Sequence, residues 1–114
     1  MNQSLQSSFR ALGDPTRRQI LMDLYREDMT ISEVVDRFAL TRTAVRKHLT
    51  ILEEGNLITV TPNGKERITR INPKGIKLTA EWFDYFDQFW DTALHSLKKA
   101  VESNNQNKTS EKKK

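Results

Sequence analysis

Apolar residues along the first half of the chain keep short helical beats, each broken by a turn signal. Leu5, Phe9 and Leu12 recur at i, i+4 and i+7 and predict an amphipathic first helix that Gly13 ends. Asp14-Pro15 restarts the chain, because an aspartate oxygen can accept from an orphan amide and proline at the first helical position gives up no needed N–H. Ile20, Leu21 and Leu24 supply the buried stripe of that second helix. Thr30-Ile31-Ser32-Glu33 fits a capping box, and Ile31, Val34, Val35 and Phe38 continue at the helical period for about two turns. Only Ala39 and Leu40 precede Thr41, a further N-cap, after which Val45, Leu49 and Leu52 define one face and Gly55 is expected to stop the helix. Two short helices joined so tightly predict a helix-turn-helix.

The period changes after Gly55. Leu57 to Thr61 and Arg67 to Ile71 are β-branched segments flanking Pro62-Asn63-Gly64-Lys65, and Asn-Gly is a strong hairpin signal. A last helix is expected from Asn72-Pro73, tolerating Gly75, or afresh near Thr79, and to run to about Val101. From Ser103 the stretch "SNNQNKTSEKKK" has no apolar residue and is expected to be a disordered basic tail, residues 103–114, behind one folded domain of residues 1–102. The predicted architecture is mainly α with a small β-hairpin, in the order α-α-α-α-β-β-α of a winged helix-turn-helix.

Composition narrows this picture. The 114 residues suit one domain, and a 36% hydrophobic content is modest enough that part of the apolar surface is expected to need a partner chain. Without cysteine there is neither a disulfide framework nor a thiolate metal site, which suits a reducing cytoplasm. No secretory leader pattern opens the chain and no apolar run nears the ~20 residues a bilayer requires, so a soluble cytoplasmic protein with no membrane partner is expected.

The formal net charge of +4 is unevenly spread. Residues 37–52 carry Arg37, Arg42, Arg46 and Lys47 with no acid, and residues 63–78 carry five cations against Glu66 alone. Residues 79–102 are net acidic. Such segregation points to a side that faces a polyanion. With Val45, Leu49 and Leu52 buried, the helix of residues 41–54 turns Arg42, Thr43, Arg46 and Lys47 outward, and its first turns can enter a major groove of double-stranded DNA. Arginine can read guanine edges, while Thr41 and Thr43 can meet phosphate or a thymine methyl. Lys65 and Arg67, beside the hairpin tip, would lie over the neighbouring backbone or minor groove. His48, at the edge of the buried stripe, fits either packing or a phosphate contact. A winged-helix module that binds a protein or structured RNA is the alternative, in which the basic face would be incidental. No phosphate loop, metal cluster, paired acid/base site or nucleophile motif is present, so neither an enzyme nor a cofactor is expected.

The last helix is unusually apolar. Trp82, Phe86, Phe89, Ala93, Leu97 and Ala100 form one stripe, and Phe83, Trp90, Leu94 and Val101 an adjoining one. Together they exceed what one small domain needs, and with Leu5, Phe9 and Leu12 they predict the interface of a homodimer.

At "FRALGDPTRRQIL" (residues 9–21), "AVRKHLTILEEGNLI" (residues 44–58) and the hairpin that follows, the chain resembles the ArsR-type family of bacterial winged-helix repressors, over residues 5 to about 101. The resemblance implies a homodimer joined by its first and last helices that binds a palindromic promoter site and usually represses transcription. It does not carry over an operator sequence, because the family commonly has a small residue where this chain has Arg46. Many relatives sense metals through cysteines on the third helix or Asp/His/Glu clusters on the last. Here cysteine is absent, Phe86 stands two residues after Asp84 where a histidine is usual, and His95 is followed one turn later by Lys98. A member without a metal site is therefore expected, with its inducer unidentified.

Overall fold

The computed structural model describes residues 3–113, with side chains described for residues 5–104. Its elements are α1 (Gln3–Leu12), α2 (Pro15–Arg26), β1 (Met29–Thr30), α3 (Ile31–Phe38), α4 (Arg42–Glu54), β2 (Ile58–Asn63), β3 (Glu66–Ile71) and α5 (Pro73–Lys113). The expected order holds with one addition. Met29–Thr30 forms a short strand, so the hairpin becomes a three-stranded antiparallel sheet of order β1-β3-β2. α5 begins near Asn72-Pro73, the earlier of its two expected starts, and continues past the expected end near Val101. The tail expected from Ser103 lies mostly beyond residue 104, outside the residues whose side chains are described.

The chain divides into two compact units, one ending at Thr79 and one beginning at Ala80. In the first, Ile20, Leu24, Met29, Val34, Val45, Leu52, Leu57 and Ile58 are buried together. Full burial of each such side chain contributes about 1.5–3 kcal/mol. The entries of α2, α3 and α4 are capped as the sequence predicts. Asp14 accepts from the Arg17 amide at 3.1 Å, Thr41 accepts from the Ala44 amide at 3.1 Å, and Thr30 and Glu33 close a reciprocal capping box.

Both acidic caps are held below the usual carboxylate range. For Asp14 the main cause is the hydrogen bond from the Arg17 amide, and for Glu33 that from the Thr30 amide. A depressed folded pKa contributes stability that is complete above the unfolded value, about 4, and fades as pH falls through the folded one. Between about pH 5 and pH 3 the native melting midpoint is therefore expected to fall more steeply than that of an Asp14→Asn/Glu33→Gln double variant, as followed by circular dichroism. Parallel curves would remove the caps from the account of acid lability.

α4 stops at Glu54 with Gly55 as its C-cap, as expected, but the stop does not use a left-handed glycine. The left-handed residue that turns the chain is Asn56 (φ 60°), not Gly55. The Leu57 amide bonds the Leu52 carbonyl at 3.1 Å and the Asn56 amide bonds the Glu53 carbonyl at 2.9 Å, which is a Schellman motif. Gly55 has an ordinary φ of −80° and is required for a different reason. A Cβ there would lie 2.9 Å from the Ser7 carbonyl oxygen, because α1 crosses directly over it. Ser8 Oγ seals the crossing by donating to the Gly55 carbonyl at 2.8 Å.

Gly75 plays the same part where α5 begins. A Cβ at this position would be driven into the Asn56 carbonyl, so the first turn of α5 is seated on the turn after α4 only because that side chain is missing. Gly75→Ala removes a helix-weakening residue yet is expected to destabilise the fold by about 1–3 kcal/mol through overpacking. Urea unfolding measures this. A variant as stable as the native chain would show that α5 can shift away from Asn56 at no cost.

Candidate nucleic-acid interface

Residues Val45, Leu49 and Leu52 of α4 are buried, which leaves Thr41, Arg42, Thr43, Arg46 and Lys47 exposed on the opposite side. Thr41 uses its oxygen as the α4 cap. Arg42 is steadied from the preceding helix, its Nη2 donating to Ser32 Oγ at 2.7 Å. Ser32 in turn donates to the Glu66 carboxylate at 3.2 Å, so the first turn of α4, α3 and the start of β3 share one hydrogen-bonded chain. Neither Ser32 nor Glu66 stands out in the sequence, since the three partners are far apart along it.

The hairpin is tighter than its sequence suggests. Asn63 pairs with Glu66, so the two turn residues are Gly64 and Lys65. Gly64 has φ 65° and Lys65 is not left-handed, the pattern of a type II′ turn with glycine first. Lys65 therefore occupies the hairpin tip, and Arg67 follows one residue into β3, paired with Pro62. Arg46 and Arg67 line the same cavity of about 220 Å³ between α4 and the sheet, together with Ile31, Leu49, Thr50, Glu53 and Val60.

Of the nine cations in the two basic segments, only Arg37 and Arg70 are held by acids among the described residues. Arg37 is bound by Glu27 at 2.9 Å and lies near Asp23, and the Glu27 hydrogen bond, foremost, raises its already high pKa. Arg70 is bound by Asp28 at 2.9 Å. Among the described residues, Arg46, Lys47, Lys65 and Arg67 form no ion pair; all four are exposed and belong to α4 or the hairpin. Arg46, Lys47, Lys65 and Arg67 thus put four exposed positive charges on neighbouring elements, a local concentration that attracts anions.

His48 behaves unlike its neighbours. It is half-buried, and its Nδ1 lies 3.2 Å from Arg17 Nη1 and 4.0 Å from Asp14 Oδ2. Arg17, within one of the motifs but not singled out from sequence, also binds the Ala11 and Arg10 carbonyls at 2.8 and 3.0 Å. It connects the end of α1 to α4 across 31 positions of sequence, a link that no local pattern announces.

The residues expected at a dimer interface lie in both units. On α1, Leu5, Phe9 and Leu12 are half-buried, and Leu12 packs against the core. From Ala80 onward, Phe86, Phe89 and Leu97 are exposed while Trp82, Trp90 and Ala93 are half-buried. Trp82 stacks on Phe86 at 4.9 Å, Phe86 meets Trp90 at 5.8 Å, and Phe89 meets Trp90 edge-on at 5.3 Å. The ring contacts thus step from one predicted stripe to the other and merge them into one aromatic band. Among the described residues no three His, Asp or Glu side chains are grouped to hold a metal, and no helix is long and apolar enough to cross a membrane.

A helix-turn-helix flanked by a three-stranded wing defines the winged helix-turn-helix class. Comparison with known proteins agrees: the family described as a helix-turn-helix domain matches residues 12–61. An uncharacterised HTH-type transcriptional regulator of Bacillus subtilis (strain 168), YuzN, is 37% identical over 92 residues, covering 74% of this chain and all of the relative. The transcriptional repressor SdpR of the same organism is 29% identical over 86 residues, covering 75% of this chain and 96% of its own length. Among solved structures, an ArsR-like transcriptional regulator from Rhodococcus sp. RHA1 is 32% identical with a TM-score of 0.69, covering 84% of this chain and 91% of that one. The chain belongs to the ArsR family of winged helix-turn-helix transcriptional regulators.

Proposed function

We propose that this regulator is a cytoplasmic homodimer that binds a palindromic site in double-stranded DNA and represses a nearby promoter. The observation that carries the reading is the sorting of cations: Arg46, Lys47, Lys65 and Arg67 stay open on α4 and the hairpin, while Arg37 and Arg70 are held by acids. In this reading α4 lies in the major groove with Arg42, Thr43 and Arg46 toward base edges and Thr41 and Lys47 toward phosphate. Lys65 and Arg67 ride over the adjacent backbone or minor groove. The name of SdpR as a repressor supports the direction of control. Its inducing signal and operator have no counterpart in the residues described.

Selection of bound duplexes from a random pool, followed by two substitutions, tests this. Arg46→Ala is expected to relax base preference and to cost about 1–3 kcal/mol on the selected site. Lys65→Ala is expected to weaken every duplex alike and to flatten the salt dependence by about one unit of log–log slope. If no sequence is enriched, or both variants match the native affinity, the DNA-reading face is elsewhere. Capture of a structured RNA or a protein in preference to duplex would favour the other winged-helix role.

A further inference from the structure

The partners of His48 fix where its proton sits. A guanidinium has N–H donors only, so the 3.2 Å approach of Arg17 Nη1 to His48 Nδ1 requires a lone pair on Nδ1. The ring is then the neutral tautomer with its hydrogen on Nε2. Arg17 has little freedom to withdraw: its Nε and Nη2 are committed to the Ala11 and Arg10 carbonyls at the end of α1, and its backbone amide to Asp14. Asp14 makes no hydrogen bond to the ring, since its Oδ2 lies 4.0 Å from Nδ1. Nε2 has no hydrogen-bond partner among the described residues, and the only buried unpaired side-chain nitrogen or oxygen among them is Trp90 Nε1. The Nε2–H of His48 therefore opens on solvent, on the helix that carries Arg46 and Lys47.

We infer that His48 donates this Nε2–H, uncharged, to a phosphate of the bound duplex, with Arg17 as the positioning residue that selects the tautomer and holds the ring. The inference rests on the DNA-binding reading above and adds to it the α1–α2 corner, which supports the contact from behind. A neutral donor has a distinctive signature. It strengthens binding through a charge-assisted hydrogen bond but neutralises no phosphate, so it releases no counterion and leaves the salt slope alone. The adjoining Arg17 also offsets the negative charge of Asp14, which would otherwise oppose a nearby phosphate.

The test uses the full chain, labelled with ¹⁵N-histidine, and a duplex obtained by selection from a random pool. At pH 7.5, two-bond ¹H–¹⁵N correlations are expected to show His48 protonated at Nε2 alone, both free and bound, and Arg17→Met to give a mixture of tautomers. His48→Asn, which presents an amide nearer the Nδ1 position, is expected to weaken all duplexes about tenfold or more at every salt concentration with an unchanged slope. His48→Gln, whose amide reaches toward Nε2, is expected to recover most of that loss. Should Arg17→Met fail to fold, the native correlations and the two His48 variants decide the matter. A proton on Nδ1, a slope reduced by one unit in His48→Asn, or native affinity in that variant would each overturn the inference while native duplex binding kept the function intact. A native chain that binds no duplex would overturn both.

Discussion

Trp90→Glu is expected to turn the proposed dimer into monomer or aggregate and to abolish operator binding, although residue 90 belongs to the second unit, on α5, and not to α4 or the hairpin. The second unit leaves Phe83, Tyr85, Phe86, Phe89, Leu94, Leu97 and Val101 each at least 41% exposed. Isolated apolar residues on a surface are ordinary, but seven large ones along one helix, tied into a band by the Trp82, Phe86 and Trp90 rings, make the kind of patch that soluble monomers avoid. Aromatic residues at the centre with acids beside them, here Glu81, Asp84, Asp87 and Asp91, fit the core and rim of an interface between identical chains. A carboxylate beside the Phe86 and Phe89 rings would have no cation to meet, and an uncompensated charge buried in such a place costs several kcal/mol. Two recognition helices about 34–36 Å apart match successive major grooves, so breaking the pair removes palindrome recognition. Sedimentation of the native chain checks the premise. A stable monomer at micromolar concentration, or a glutamate variant that stays dimeric and fully competent on DNA, would assign this helix another role.

Affinity for the selected duplex is expected to fall by about 10³–10⁵ between 50 and 200 mM salt, the behaviour of a protein that touches ~6–10 phosphates. Arg46, Lys47, Lys65 and Arg67 of each protomer, doubled by dimerisation, lie within that range of contacts. Arg37 and Arg70 should add nothing to the slope, because exchanging a carboxylate partner for a phosphate releases no net counterion. Fluorescence anisotropy across a salt series measures the slope for the native chain and for Arg37→Ala. Binding indifferent to salt would contradict a phosphate-driven encounter, and a slope shared equally by Arg37 would mean that its pairing with Glu27 opens on the duplex.

The helices were legible because their signals are local. Thr30 with Glu33, Asp14 with Pro15, and the 3.6-residue recurrence of Val45, Leu49 and Leu52 each declare a helix within a few positions, and the structure has them as written. What stayed hidden depends on distant segments. Met29–Thr30 is too short for alternation to register, and it becomes a strand only because β3 lies alongside, pairing Met29 with Thr69 and Thr30 with Ile68. Gly55 invites a reading as a helix stop, yet its glycine answers to α1 overhead, and nothing near residue 55 could disclose Ser7. On the proposed interface, exposure of Arg42, Thr43, Arg46 and Lys47 follows from the buried stripe alone. The division of cations into open and paired does not, because Arg70 finds Asp28 across 42 positions.

Thr30 serves two masters at once. Its backbone pairs with Ile68 in the sheet while its side chain and amide cap α3 through Glu33, and the Met29 carbonyl beside it accepts from the buried Thr69 hydroxyl at 2.7 Å. No cut can therefore be made between the wing and the helix-turn-helix without severing either a ladder or a cap. For anyone grafting a new target preference onto this scaffold, the smallest transplant that keeps its donor's geometry is the block from Met29 to Ile71. Swapping α4 alone would set a foreign recognition helix against a wing whose tilt was fixed by another protein's Thr30.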